Sequence, residues 1–433
     1  MAEKPISIGI LGYGKIGAGT YKTLLDNRES IDRKVGRPVR VKKLVDVDWT
    51  SERPVHIEIP TELKSTSAAD VLDDPEISIV VETIGGTDPA RDFVLKALQS
   101  GKSVVTSNKE LIARHGKELF EAAAQRGVDL MFEGSVGGGI PILRPLKQCL
   151  AANKIRRIMG IVNGTTNFIL TRMAEDGAEF AEALEEAQAL GYAEVNPTND
   201  VEGFDAAFKL VILASIGFET RVSVEDIYRE GIVKLTALDM EYARHLGYVV
   251  KLLAIGTEVD GSLELRVHPT LLPADHPLAA VNGPFNAIFV QGSSVGEVMF
   301  YGQGAGTMPT GSAVAGDIVD VARNIRSGAT GRVACTCFED KPILPIEKLQ
   351  TGYYLRLQVA DRPGALAAIA KVFGEEGVSL ASVLQMGASG ESAEIVWLTH
   401  KTNERSMRNS LARIEKLDEV HEVSSLIRTE TTD

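Results

Sequence analysis

The chain has 433 residues, 44% apolar and 24% charged, the proportions of a globular protein long enough for two or three domains. Its formal net charge of −13 excludes a broad basic face, and with it nucleic acid or an anionic membrane as the main partner. Three cysteines are too few for a disulfide framework, and no signal peptide or membrane-length apolar run is found, so a cytoplasmic location is expected.

Residues Ile6 to Leu11 form an apolar run that ends in Gly12-Tyr13-Gly14-Lys15-Ile16-Gly17, after which Thr20, Tyr21, Leu24 and Leu25 recur at helical spacing. Strand, glycine turn and helix in that order predict a dinucleotide site. Gly12 permits the tight turn, Gly14 lets a pyrophosphate approach the backbone, and Gly17 lets the helix pack closely on the strand. The phosphate then meets the helix N-terminus, whose free N–H groups favour an anion. Segments 39–47, 77–83 and 102–107 read as further strands alternating with helical stretches, which predicts an α/β fold with an open, Rossmann-type sheet. Thr83 and Lys109 fall at the carboxyl ends of those strands, where such sheets bind ligands. Asp46, ending the second strand, is assigned to the adenosine ribose. A carboxylate there accepts from a 2′-hydroxyl and repels a 2′-phosphate, favouring NAD over NADP. Asp48 is a rival acid, Arg40, Lys42 and Lys43 are opposing cations, and a plain strand end is the simpler alternative.

Ser135 to Gly139 form a flexible turn, and Pro141, Ile142, Leu146 and Leu150 follow at the spacing of a helix on which Cys149 is expected to be packed. A domain boundary is placed there, giving a dinucleotide-binding domain over 1–135 and a substrate domain over 136–330. The stretch "IMGIVNGTTNFILTRM" reads as strand, polar turn and helix, gathering Asn163, Thr165, Thr166 and Asn167. In "GYAEVNPTNDVEGFDAAFKL", Asn199 and Glu202 have capping-box spacing, which predicts one helix from near Asp200 with Asp205 and Lys209 on one face. Val211, Ile212, Leu213, Ile216 and Phe218 follow, so Lys209 sits where burial is expected, and a buried charge needs a partner or a task. An ordinary i,i+4 ion pair is the plainer alternative. A helix near 312–326 is expected to return to the first domain. Cys335-Thr336-Cys337 fits no common zinc spacing and is read as two side chains on one face of a strand. Residues 331–350, with Pro342 and Pro345, make a linker, and 351–433 follow the order β-α-β-β-α-β.

These segments together resemble homoserine dehydrogenase along nearly the whole chain, carried by "GILGYGKIG", "VVETIGGTDPAR", "EGSVGGGIPILRPL", "GIVNGTTNFILTRM", "LGYAEVNPTNDVEGFDAAFKL" and "VMFYGQGAGTMPT". The tail from Tyr353 resembles an ACT domain, a ferredoxin-like module that often binds amino acids. The resemblance implies a Rossmann-type domain, an α+β substrate and dimerisation domain and the ACT domain, assembled as a homodimer or homotetramer. It implies reversible reduction of aspartate 4-semialdehyde to homoserine with NAD or NADP. By the same resemblance Lys109 and Lys209 are proton donors and acceptors, and Asp205 holds the substrate and Lys209. Glu194 contacts the substrate amino group, with Asp200 adding acidity. Hydride arriving at an aldehyde carbon leaves an alkoxide to be protonated, and desolvation suits a lysine to that exchange in both directions. The resemblance further implies a monovalent cation, Na+ or K+, at Glu133 and the backbone of Val136, Gly138 and Ile140. Threonine is the implied effector, with Asp361-Arg362-Pro363-Gly364 as its candidate turn. Two departures stand out: Asn196 where many relatives carry aspartate, and Gln303 where the family form has proline. Two rival readings are an acylating dehydrogenase, which needs a nucleophilic cysteine, and a non-enzymatic amino-acid sensor with a vestigial nucleotide domain. The presence of Lys109, Glu194, Asp205 and Lys209 argues against the sensor.

Overall fold

The structure, a computed structural model, describes residues 4–389 and 392–430. They fall into two compact units. The first comprises the chain up to Ile158, Phe208–Glu225 and Asn286–Asp340, and the second Met159–Ala207, Asp226–Phe285 and the chain from Lys341. The C-terminal module therefore clusters with the middle of the chain, and 331–340 with the N-terminal sheet.

In the first unit, β1 (Ile6–Leu11), β2 (Val39–Val45), β3 (Lys64–Ser65), β4 (Ile77–Glu82), β5 (Ser103–Thr106) and β6 (Leu130–Met131) form a parallel sheet in the order β3-β2-β1-β4-β5-β6. Every residue of β1 is buried, as a central parallel strand covered on both faces requires. The order reverses between β1 and β4, which opens a crevice beyond their carboxyl ends. Helices α1 (Lys15–Asp26), α2 (Arg28–Val35), α3 (Ala69–Leu72), α4 (Ala90–Gln99) and α5 (Lys109–Arg126) connect the strands. The later α11 (Thr307–Ser327) returns to this unit, packing Val314, Ile318 and Val321 into the core with Ile8 and Ile10. It crosses α1 where Gly311 meets Gly19, because a Cβ on Gly311 would lie 2.5 Å from the Gly19 carbonyl carbon. Strands β11 (Phe285–Gly292) and β12 (Gly296–Gln303) precede it.

Two expectations are corrected here. Residues Pro145–Cys149 form a π-helical turn, and Cys149 is exposed instead of packed. Such a turn shifts the phase of the faces that follow, so ordinary helical spacing misplaces the cysteine. Cys335 and Cys337 do not share a strand. Their segment is irregular, with a local turn in which the Phe338 N–H donates to the Thr336 carbonyl.

Strand β7 (Ile155–Ile161) leads into the second unit and α6 (Gly164–Asp176), followed by α7 (Phe180–Ala189) and α8 (Thr198–Val201). The single helix expected from Asp200 is two. Gly203, at φ +78, separates α8 from α9 (Phe204–Gly217), and Asn199 lies inside α8, not at a cap. The positive φ lets the chain turn there, at a conformation that glycine adopts without steric cost. Beyond β8 (Tyr228–Arg229) and α10 (Ala237–His245), β9 (Tyr248–Val259) and β10 (Ser262–Pro273) form a long antiparallel pair. The tail has the expected order: β13 (Gln350–Ala360), α12 (Ala365–Glu375), β14 (Leu380–Ser389), β15 (Ser392–Thr399), a short β16 (Thr402–Asn403), α13 (Glu404–Ile414) and β17 (Val420–Thr429). Strand β17 pairs in parallel with β10 through Thr270–Arg428 and Leu271–Thr429, so one sheet runs β9-β10-β17-β13-β15-β14. Arg428 lies buried against Glu404 at 2.7 Å and Glu230 at 2.9 Å along this junction.

Candidate active site

The three glycines of the first turn differ in their surroundings. Gly12 has φ +92, and a Cβ there would lie 2.8 Å from the backbone of Thr83 and Ile84. One on Gly17 would lie 2.1 Å from the Gly12 carbonyl oxygen. A Cβ on Gly14, which caps α1, would meet nothing within 4 Å, which leaves space for a pyrophosphate. Lys15 is exposed at the start of α1, and Ile16 packs against the core. The Thr83 hydroxyl donates to the Gly12 carbonyl at 2.6 Å and ties β4 to the turn.

Asp46 reaches this turn directly. Its carboxylate accepts from the Tyr13 N–H at 2.8 Å and from the Asp48 N–H at 2.9 Å. Asp48, the rival acid, is occupied by Thr50 and Ser51, whose hydroxyls and N–H groups hold its carboxyl well below the usual range. Sequence reasoning missed Arg53, whose guanidinium donates to the Tyr13 carbonyl at 2.7 Å and stands 3.5 Å from the Asp46 carboxylate. The expected pairing of acid and glycine turn is therefore joined by a cation.

The ends of β4 and β5 place Lys109. Glu82 is fully buried and accepts from the Thr106 hydroxyl at 2.6 Å and the Ile84 N–H at 2.7 Å. Asn108 donates to the Gly86 carbonyl at 2.6 Å, and its side-chain oxygen caps α5 at the Leu111 N–H. Lys109, half-buried, is the first residue of that helix. Glu82 and Asn108 are thus positioning residues, and a buried acid ending an apolar strand was the available signal.

A second cluster forms around Asn163. Its side-chain oxygen caps α6 at the Thr166 N–H, and its amide donates to Asp200 at 2.6 Å and to Asp205 at 2.9 Å. One amide thus unites two carboxylates of the expected acidic edge. Asp205 and Lys209 stand one turn apart on α9 and are 5% and 7% exposed, so the surface ion-pair alternative does not describe them. Glu194 lies exposed on the segment after α7, where its carbonyl accepts from Gln188. Asn196, the departure from the family pattern, closes a local turn ahead of α8, its side-chain oxygen accepting from the Thr198 hydroxyl at 2.7 Å.

The residues proposed for a monovalent cation divide in two. The Glu133 carboxylate accepts from the N–H groups of Ile142, Leu143 and Arg144 at 2.5, 2.8 and 2.7 Å, so it closes the start of the following helical turn. Gly137 and Gly138 both have positive φ, and a Cβ on Gly138 would lie 2.5 Å from the Gly304 carbonyl oxygen. Among the described residues no hydrogen bond occupies the carbonyls of Val136, Gly138 and Ile140, a donor set suited to a hard monovalent ion. Among the described residues no cluster of three or more His, Cys, Asp or Glu side chains could hold a metal. Beside Glu133, Asp317 accepts from its N–H at 2.8 Å and from Arg144 at 2.7 Å. Burial and the nearby Glu133 push the Asp317 carboxyl up to about 7, against the pull of Arg144.

In the C-terminal module, Asp361, Arg362, Pro363 and Gly364 form an exposed turn, with Gly364 at φ +97 capping α12 and Arg362 paired with Glu419 at 3.1 Å. Among the described residues no helix is long and apolar enough to cross a membrane.

A Rossmann-type sheet with an intact glycine turn, in a chain that also buries Asp205 and Lys209 on α9, defines a dinucleotide-binding oxidoreductase. Comparison with known proteins makes this specific. The family model for the homoserine dehydrogenase NAD-binding domain matches residues 12–133, that for homoserine dehydrogenase matches 141–319, and that for the ACT domain matches 353–419. The chain is 43% identical over 429 residues to the homoserine dehydrogenase of Bacillus subtilis, covering 99% of each. A solved homoserine dehydrogenase from Thiobacillus denitrificans superposes with a TM-score of 0.92 at 44% identity, covering 99% of both chains. A hyperthermophilic archaeal homoserine dehydrogenase in complex with NADPH matches at a TM-score of 0.62 and 28% identity, covering 73% of this chain and 98% of that one. The chain belongs to the homoserine dehydrogenase family, oxidoreductases of amino-acid biosynthesis, and carries a C-terminal ACT domain.

Proposed function

We propose that the enzyme reversibly reduces the aldehyde of L-aspartate 4-semialdehyde to L-homoserine, using NAD at least as well as NADP, in the cytoplasmic synthesis of threonine and methionine. The observation that carries this reading is the buried Asp205–Lys209 spacing on α9, with Asp205 held by Asn163 beside Asp200.

The bound nicotinamide supplies or accepts the hydride. Lys209 holds the proton that the alkoxide oxygen takes up in reduction and returns in oxidation. Lys109, at the head of α5, is the second proton donor and acceptor. Asp205 orients Lys209 and binds substrate, and Asp200 adds negative charge for the substrate ammonium. Glu194 is assigned the same ammonium, although its exposure gives it less support than Asp200. Asp46 accepts from the adenosine ribose, which supports NAD, while Arg53 beside it supports tolerance of a 2′-phosphate. A K+ or Na+ ion would be held by the Val136, Gly138 and Ile140 carbonyls, with the Glu133 carboxylate closing the adjoining turn. The assembly is a homodimer or homotetramer. Threonine is the proposed inhibitor, acting at the 361–364 turn.

Initial rates with homoserine and each of NAD and NADP test the reading. Turnover of homoserine clearly faster with NADP than with NAD would overturn the cofactor preference, and no turnover with either would overturn the activity.

A further inference from the structure

Cys335 and Cys337 have no part in the proposed reaction, yet their surroundings are organised. Cys335 and Cys337 lie two residues apart on an irregular segment, and the Cys337 sulfur lies 3.7 Å from the Ser215 carbonyl oxygen. The Arg221 guanidinium stands 3.7 Å from the Cys335 sulfur. The pair borders a small cavity walled by Ile112 and Phe120 of α5 and by Ile212 and Ile216 of α9. Lys147 also lines it, with its ammonium 4.9 Å and 5.2 Å from the ring centroids of Phe120 and Phe132. An adjoining cavity of about 190 Å³ opens on the other side of Cys335, lined among others by Lys117, Glu121 and Arg221. Both cysteines are half-buried, so a small reagent has access to them.

We propose that Cys335 is a site of oxidative modification, reacting as a thiolate with hydroperoxide, and that Cys337 is its resolving thiol. In the first step the Cys335 thiolate attacks one peroxide oxygen, the O–O bond breaks, and Cys335 becomes a sulfenic acid while hydroxide leaves. In the second step the Cys337 sulfur attacks the Cys335 sulfur, the S–O bond breaks, and water leaves as the Cys335–Cys337 disulfide forms. Peroxide is the oxidant, and a dithiol reductant reverses the product.

Three features favour this chemistry over metal binding or inert packing. Reactive cysteines occur in electropositive, partly accessible surroundings, and Arg221 and Lys117 supply that field against Glu121, while burial lowers the pKa of the Lys147 ammonium and Asp317 and Glu133 act on it in the opposite sense. The neighbouring Cys337 thiol, with Arg221 and Lys147 assisting, draws the Cys335 thiol below its usual range against its burial, whereas the Cys337 thiol is pushed up. The same cations repel a metal ion. Finally, the two thiols are separated by one residue on the same irregular segment and border the same cavity, which keeps the resolving thiol close to the reacting one.

The location gives the modification a consequence. Lys109 stands three residues before Ile112 on α5, and Lys209 three before Ile212 on α9, so both candidate proton donors ride on helices that wall the cavity. Closing the disulfide redraws that wall and is expected to lower turnover. This last step rests on the proposed roles of the lysines, whereas formation of the disulfide does not.

The test treats the full-length enzyme with hydrogen peroxide, blocks remaining thiols, and maps the peptides by mass. The expected result is loss of two hydrogens across Cys335–Cys337, reversal by dithiothreitol, and a dimedone-trapped sulfenic acid on Cys335 in the Cys337→Ser variant. Iodoacetamide should label Cys335 roughly fivefold faster than the exposed Cys149 at pH 6, because the gain in thiolate outweighs its lower intrinsic nucleophilicity. Arg221→Ala should reduce that advantage. Modification of Cys149 before Cys335, or an unchanged 335–337 peptide after peroxide, would overturn the proposal. A disulfide formed without loss of turnover would overturn its link to the catalytic helices.

Discussion

The amide of Asn163 donates to the Asp205 carboxylate at 2.9 Å while its side-chain oxygen caps α6. One residue therefore fixes the start of one helix and the acid of another. The second N–H···O bond, to Asp200 at 2.6 Å, brings two carboxylates to the same amide, and their mutual repulsion is offset by that shared donor.

Asn163→Ala should remove this shared donor and leave Asp205 buried with one partner fewer. A lost hydrogen bond to a buried charged group is worth about 1.5–3 kcal/mol. The expected result is a kcat/KM for homoserine lower by roughly tenfold to a hundredfold, a conversion of that energy at 1.4 kcal/mol per decade. Steady-state kinetics with a parallel melting curve checks this. Near-normal kcat/KM in a folded Asn163→Ala enzyme would show that Asp205 does not depend on it.

Asp46→Ser should shift cofactor preference toward NADP, since it removes a ribose acceptor and the charge facing a 2′-phosphate. Arg53→Ala should shift it the other way, because a cation 3.5 Å from Asp46 is lost. The ratio of kcat/KM for the two cofactors measures both. Identical ratios in all three enzymes would mean that this turn does not discriminate the ribose.

The strand, glycine turn and helix were legible because three glycines stand at fixed spacing, two of them, Gly12 and Gly17, where a side chain would strike backbone, and Gly14 where space is left open. Lys209 was legible because the apolar run after it leaves little doubt of burial. Asn163 was seen as a polar group but not as a hinge of the site, since its partners lie 37 and 42 residues away and nothing local marks them. The break at Gly203 was hidden by the capping-box spacing of Asn199 and Glu202, which suits a helix start that the chain does not use. Cys149 was misplaced because a π-helical turn changes the face that a helical period assigns. The pairing of β17 with β10 could not be read from either strand, because parallel partners so distant in sequence leave no local signature.

Asp317 gives stability a pH dependence of determined sign. Its carboxyl is raised from 3.8 to about 7 in the folded chain. Its contribution is complete below about pH 4 and is lost as pH rises through about 7, because the unfolded chain releases that proton first. The slope in between is on the order of 1.4 kcal/mol per pH unit. Asp317→Asn should flatten the fall in Tm between pH 5 and 7.5 relative to the parent. Parallel Tm curves for the two proteins would contradict this.

Regulation by threonine is best tested by a point change. Cutting the chain after Leu349 would strip β17 from β10 and expose a long strand edge, confounding regulation with stability. Gly364→Val is better placed, since φ +97 at an exposed turn disfavours a branched residue while leaving the sheet junction intact. The expected outcome is loss of threonine binding by calorimetry and of inhibition at millimolar threonine, with basal turnover retained. Equal inhibition of parent and variant would place the effector elsewhere.

The central claim is that Lys209 moves the proton of the reaction, and the kcat of Lys209→Ala for homoserine oxidation tests it most directly. A general acid or base contributes ~10²–10⁴ in rate. The account predicts a folded variant that binds nucleotide normally, with kcat reduced by that factor. A folded Lys209→Ala enzyme with near-parental kcat would contradict it.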